Sequence, residues 1–521
     1  MKLNYSSIKD TKVWTDKGYA LPQYDVEAVA ARTKAAPEWI HFGAGNIFRA
    51  FLGGVAQRLL NQGAMDKGIV VFEGFDTEII DKAYKPFDNL SVGVTLIASG
   101  TVKKEVLGSI CEGITINDDA RAKEIFANPS LKMASFTITE KGYSIRFAEK
   151  DAMGKPEEAK GLMGYLTKLM LYRFNNGAAP LALVSMDNCS HNGEKLEAAV
   201  RFVAGKWQEN GYVGQDFIDY LNTKVTFPWT MIDKITPRPD ATVKKMLEED
   251  GFEDADTIIT SRNTYTSAFV NAEEKEYLVV EDKFPNGKLP LDKAGIYYTT
   301  RETVERVERM KVTTCLNPLH TCLAVFGCML GFETIWQEMN DADLKAMVER
   351  IGYIEGLPVV TNPGILDPKH FLEEVLYARL PNCFLPDTPQ RIATDTSQKL
   401  SIRFGETIKS YVAGGMDLGT LKGITLTEAG WLRYLMGKDD NGNDIALSPD
   451  PRMDEMKQRL GTLTFGNNEG AEEILTPILK DETIFGLDLV EAGLSDAIIA
   501  AFKQMNSGKG EIRKIIHELV K

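Results

Sequence analysis

"WIHFGAGNIFRAF", residues 39–51, is the stretch on which the fold turns. A short apolar run, Trp39–Phe42, enters Gly43-Ala44-Gly45, and an amphipathic segment follows without a break. A buried strand that bends on glycines straight into a helix start opens a βαβ unit. Such a turn gathers backbone N–H groups and the positive end of a helix at one point, which suits a phosphate. The third glycine of a complete Gly-x-Gly-x-x-Gly fingerprint is absent, because Phe48 and Arg49 stand there. Taken alone, the turn is as compatible with an ordinary strand-to-helix connection as with a dinucleotide site.

Outward from this turn, "IVVFEGF", "KMASFTIT" and "LALVSM" read as further buried strands. "AFLGGVAQRLLNQG" and "AKGLMGYLTKLMLYRFNNG" lie between them with apolar spacings of three and four, and end in Gly. Strands separated by helices predict an α/β fold with a parallel sheet. From about residue 300 the pattern becomes almost wholly helical, as in "TRETVERVERMKVTTCLNPLHTCLAVFGCML". The expected division is therefore residues 1–297, carrying the sheet, and residues 298–521, mainly α-helical.

At 521 residues the chain exceeds one ordinary core. Its net charge of −14 leaves no basic surplus for nucleic acid. The apolar run "CLAVFGCMLGF" is too short for a membrane span and reads as a buried helix. The N-terminus lacks the apolar core of a signal peptide. Six scattered cysteines form no C-x-x-C pair, so neither a disulfide framework nor a Cys₄ zinc site is expected, and a reducing cytoplasm is the default.

Several residues have chemistry in reach. Glu73 ends the second strand, where an acid can hold a ribose diol and repel a 2′-phosphate, with Asp76 in reserve; a solvated loop acid fits each as well. Asn188, in "LVSMDNCSHNGE", can donate to a carbonyl or alkoxide, although an Asx turn also accounts for it. In "MKVTTCLNPLHT", Asn317 and His320 share a helical face, and Lys311 precedes an apolar segment that would desolvate it toward a general base. A solvated lysine and a hydrogen-bonded core histidine remain the alternatives. "QRIATDTSQKLSIRF" contributes Arg391, a bidentate fork, and Lys399, a mobile charge, both equally at home as surface residues. "YLNTK" has a Tyr-x-x-x-Lys spacing, but the prolines that follow deny it the long helix that motif needs.

In their order, these segments resemble the polyol-specific long-chain dehydrogenase/reductase family, which includes the mannitol dehydrogenases. "GAGNIFRAF" is similar to its Gly-x-Gly-x-x-x-Arg-Ala turn; "TITEKGY", "SMDNCSHNGE", "MIDKITP" with Lys234 in place of an arginine, "ERMKVTTCLNPLHT" and "RIATDTSQK" follow in sequence. The resemblance implies a Rossmann-type N-terminal domain with a helical C-terminal domain and no metal. It implies NAD held around Gly43, Gly45, Asn46, Ile47, Phe48, Glu73 and Asp76. It further implies Lys311 as the general acid/base, Asn188 and Asn317 as alkoxide stabilisers, His320 as a positioning residue, and Asp233, Arg391 and Lys399 on substrate hydroxyls. The implied reaction is reversible reduction of an open-chain keto sugar or sugar acid. D-Fructuronate to D-mannonate is favoured, with tagaturonate reduction and mannitol 2-dehydrogenation as alternatives, and a non-catalytic sugar-acid binder as the reading of another class. The expected assembly is a monomer or homodimer that engages neither nucleic acid nor membrane.

One departure stands out. The family separates its lysine from the helix asparagine by five residues, whereas Lys311 and Asn317 are six apart, which would put Val312 at the position of the base. Lys311 therefore requires a one-residue bulge or a helix that begins near Asn317, where Pro318 is tolerated.

Overall fold

The computed structural model describes residues 1–521. The chain separates into two compact units, Met1–Ile97 with Thr101–Glu305, and Ala98–Gly100 with Arg306–Lys521.

The first unit is built on six parallel strands: β1 Trp39–Phe42, β2 Ile69–Glu73, β3 Ile110–Thr115, β4 Met133–Phe136, β5 Leu181–Ser185 and β6 Val225–Thr226. Their spatial order is β3-β2-β1-β4-β5-β6, the doubly wound Rossmann arrangement. Strands β1, β2, β4 and β5 are buried along their whole length, as a sheet covered on both faces requires. Alternate residues serve opposite cores. Ile40, Phe42, Val70, Phe72, Ala134 and Phe136 join helices α2 Asp119–Ala127, α3 Leu162–Asn175 and α4 Asn192–Glu209. Trp39, Ile69, Val71, Met133 and Val184 face Phe51, Leu52, Val55 and Leu59 around helix α1, Gly54–Asn61. This period of two is the geometry of the pleat.

The chain reverses winding between β1 and β4, so a crevice opens at their carboxyl ends. A separate three-stranded sheet pairs Thr230–Asp233 antiparallel with Tyr277–Glu281 and sets Asp233 opposite Tyr277.

The second unit is helical. Helix α5, Arg301–Met310, contains the partition between the units and runs into a π turn, Lys311–Cys315. Helix α6, Asn317–Leu330, follows with Pro318 in its first turn, where no amide hydrogen is missed. It packs against α7, Lys422–Tyr434, which packs in turn against α8, Ser495–Met505. The approach of α6 and α7 is close: a Cβ on Gly430 would lie 2.7 Å from the Phe326 ring. The 301–330 run is long and apolar enough by composition to cross a membrane, but 83% of its apolar window is buried within the protein.

Candidate active site

In the first unit the crevice widens into a cavity of about 720 Å³, lined among others by Gly43, Gly45, Glu73, Asp76, Thr137 and Thr139. Gly43 is fixed by a neighbour. Its φ is +109°, and a Cβ there would lie 2.2 Å from the Thr137 carbonyl oxygen, where the chain leaves β4. Gly45 is different: a Cβ would meet nothing within 4 Å, so no protein atom demands glycine there. The space it leaves open belongs to the cavity. Helix winding begins immediately after it, directing the first amides toward the same space.

Glu73 braces this turn. One carboxylate oxygen accepts from the Ala44 amide at 2.8 Å, the other from Phe75 N at 2.8 Å and Asp76 N at 3.1 Å. Asp76 accepts from the hydroxyls of Thr260 and Thr264, both at 2.6 Å. Phe75 and Phe147, 70% and 66% exposed, give the lining two apolar faces. Of the other residues expected at the cofactor, Asn46 accepts from Arg49 through its side-chain oxygen at 3.0 Å, and Ile47 packs toward the core. The Phe48 ring is fully buried and stacks on His41 at 4.2 Å, so any contact of this residue with a ligand is made by its backbone.

Four supports of this crevice act through partners that only the fold brings near. His41 is buried and held neutral by burial; its two ring nitrogens meet Ser135 Oγ at 2.7 Å and Thr137 Oγ1 at 2.8 Å. Arg49 is fully buried and donates to Ser267 O and Thr266 Oγ1, beneath the Tyr84 ring whose hydroxyl donates to Ala44 O. Thr139, β-branched, sits at φ +65°, a region such residues avoid. Asp187 pins that conformation by accepting from the Ile138 and Thr139 amides, each at 2.9 Å, and from the Tyr143 hydroxyl at 2.5 Å. Asn188 follows directly, exposed in the bend after β5.

The second unit carries the remaining candidates. In the π turn the Leu316 amide donates to the Lys311 carbonyl at 3.1 Å, five residues back, so the loop encloses one residue more than an α-helical bond does. The stretch from Lys311 to Asn317 thus carries one residue more than regular α-helix would, and the turn buries Lys311 to 3% exposure. Asn317 begins α6 and His320 lies one turn on. The His320 imidazole is pushed down to about 4 by burial, opposed by Asp387 and reinforced by the charges of Arg403, Arg379 and Arg391. Its Nε2 stands 3.9 Å from Asp387 Oδ2, and the other oxygen of Asp387 accepts from the Arg391 guanidinium. His320, Asp387 and Arg391 thus form one chain of contacts.

Lys399 turns back on its own loop, donating to the carbonyls of Ile392 and Thr394, and burial with the adjacent Arg403 lowers it to about 8. That loop is braced by Asp450, which accepts from Ser397 N at 2.8 Å. Arg403, not anticipated from sequence, donates to Thr321 Oγ1 at 2.5 Å, and Thr321 donates to Asn317 O at 3.0 Å. Asn188 and Asp233 belong to the first unit, and Lys311, Asn317, His320, Arg391 and Lys399 to the second.

Comparison with known proteins agrees with this architecture in both units. Residues 37–293 match the mannitol dehydrogenase Rossmann domain, and residues 303–506 the mannitol dehydrogenase C-terminal domain. The chain is 48% identical to D-mannonate oxidoreductase of Thermotoga maritima, over 100% of this chain and 99% of that one. It is 26% identical to D-mannonate oxidoreductase of Escherichia coli, covering 93% and 95% respectively. The solved structure of Pseudomonas fluorescens mannitol 2-dehydrogenase, a ternary complex with NAD and D-mannitol, shares the fold: TM-score 0.71, 23% identity, 100% of this chain and 99% of that one. The chain belongs to the mannitol dehydrogenase family.

Proposed function

We propose that the chain is an NAD-dependent oxidoreductase that interconverts an open-chain keto sugar acid and its alcohol, D-fructuronate and D-mannonate. The observation that carries this reading is the full-length 48% identity to a D-mannonate oxidoreductase. The cationic surroundings of His320, with Arg379, Arg391 and Arg403, favour an acid over a neutral polyol.

The first-unit cavity fits a dinucleotide. Gly45 leaves room that no protein group uses, Gly43 lets the turn pass beneath Thr137, and Lys141 and Lys160 add positive charge to the lining. Glu73 and Asp76 place two carboxylates in the same lining and disfavour a 2′-phosphate, hence NAD rather than NADP. Bound there, the nicotinamide supplies the hydride for reduction or accepts it in oxidation.

Lys311 gives a proton to the substrate oxygen in reduction and removes it in oxidation, at its Nζ. Asn188 and Asn317 donate side-chain N–H groups to the oxygen as negative charge develops, the role of an oxyanion hole. His320, neutral at physiological pH, orients a hydroxyl, while Arg391, Lys399 and Asp233 engage the remaining oxygens. The test is to follow NADH consumption with D-fructuronate, D-tagaturonate and D-fructose separately. Turnover greatest with D-fructuronate is expected. Preference for either rival reassigns the substrate, and no turnover with any of them overturns the enzyme reading.

A further inference from the structure

Arg403 is unlike the other arginines that the fold encloses or pairs. Arg173 has its guanidinium filled by the carbonyls of Phe126, Asn128, Leu131, Ala179 and Pro180. Arg49 has three acceptors and Arg433 two carbonyls. Arg391 is paired with Asp387, and Arg309 with Glu406. Arg403 has a single protein partner, the neutral Thr321 hydroxyl, and most of its planar five-donor fork is uncommitted. No carboxylate offsets its charge: burial alone acts on the group and draws it down to about 10.

A half-buried guanidinium without an acid is costly unless something anionic meets it. Its position says what that is. Thr321 lies one helical turn beyond Asn317 on α6 and next to His320. Arg403 lies one turn beyond Lys399, with its amide on the Lys399 carbonyl at 2.9 Å. Its charge is felt by both His320 and Lys399. One α-helical turn rises about 5.4 Å. In a keto-hexuronate whose carbonyl and carboxylate carbons are separated by three carbons, those two ends lie about 5 Å apart when extended. A substrate laid along α6 with its oxygen at Asn317 thus brings its carboxylate to the height of Thr321 and Arg403.

We propose that Arg403 is the specificity-determining residue of the site: its free fork receives the substrate carboxylate, and so selects keto acids over neutral ketoses. The inference rests on the keto-acid reading above and adds the residue responsible for it. The guanidinium matches a carboxylate bidentately, as an ammonium cannot.

The experiment is steady-state kinetics of wild type, Arg403→Gln and Arg403→Lys with NADH and either D-fructuronate or D-fructose. The ratio of kcat/KM for D-fructuronate to that for D-fructose falls about 100-fold in Arg403→Gln, the scale of a lost charge-assisted pair. It falls about 10-fold in Arg403→Lys, which keeps the charge and loses the fork. A ratio unchanged in either variant, including a parallel fall for both substrates, overturns the inference while the substrate reading stands. Should Arg403→Gln fail to fold, the lysine variant carries the same test. Wild-type enzyme that turns over D-fructose but no uronate overturns the keto-acid reading and the inference with it.

Discussion

Replacing Glu428 by glutamine should stabilise the protein at neutral pH and do nothing in acid. Glu428 lies in α7, the helix packed between α6, which carries Asn317 and His320, and α8. Its side chain is 0% exposed and neither carboxyl oxygen has a hydrogen-bond partner. Burial raises its pKa from 4.5 to about 8, so the folded protein keeps the proton that the unfolded chain releases. A raised carboxyl pKa means that the folded state binds more protons between those limits, and stability falls as pH rises through that window. At about 1.36 kcal/mol per pH unit, the loss between pH 4.5 and 7 is about 3 kcal/mol. Glutamine has a similar shape and no charge to lose, so the penalty vanishes. For a unit of this size the gain at pH 7 corresponds to about 6–12 °C in Tm. Thermal unfolding of wild type and variant at pH 5 and pH 7.5 provides the comparison. Near-equal Tm at pH 5 with a clear gain at pH 7.5 is expected. A difference that does not depend on pH, or a variant less stable at pH 7.5, would refute the reasoning.

Gly43→Ala forces a Cβ onto the Thr137 carbonyl at a φ that side chains avoid. NADH affinity, followed by fluorescence titration, should weaken at least about 10-fold as the turn rearranges at a strain cost of about 1–3 kcal/mol; an unaltered Kd would place the cofactor elsewhere. Lys311→Ala should lower kcat by about 10²–10⁴-fold, the span of general acid–base catalysis. Near-wild-type turnover in that variant would strip Lys311 of its role.

The strands legible in sequence were those with unbroken apolar runs. Trp39–Phe42, Ile69–Glu73, Met133–Phe136 and Leu181–Ser185 could be read because a sheet covered on both faces needs them apolar throughout. Strand β3 is not legible in the sequence, because "ICEGIT" breaks its run with Glu112 and Gly113. Gly43 stood out as a turn glycine, but its necessity comes from Thr137, almost a hundred residues away. The spacing of Lys311 and Asn317 announced an irregularity, and only coordinates show that a π turn supplies it. Arg403, Asp187 and His41 had no local signature. Each acts through partners brought near by the fold: Thr321 for Arg403, the Ile138 and Thr139 amides for Asp187, Ser135 and Thr137 for His41.

The claim that this site is built for a sugar acid is tested most directly in the oxidative direction. Initial rates with NAD⁺ and either D-mannonate or D-mannitol compare two substrates that differ chiefly in the carboxylate. A kcat/KM for D-mannonate at least about 100-fold above that for D-mannitol is the predicted result, the scale of one buried charge-assisted pair. Equal values, or a preference for D-mannitol, would contradict it.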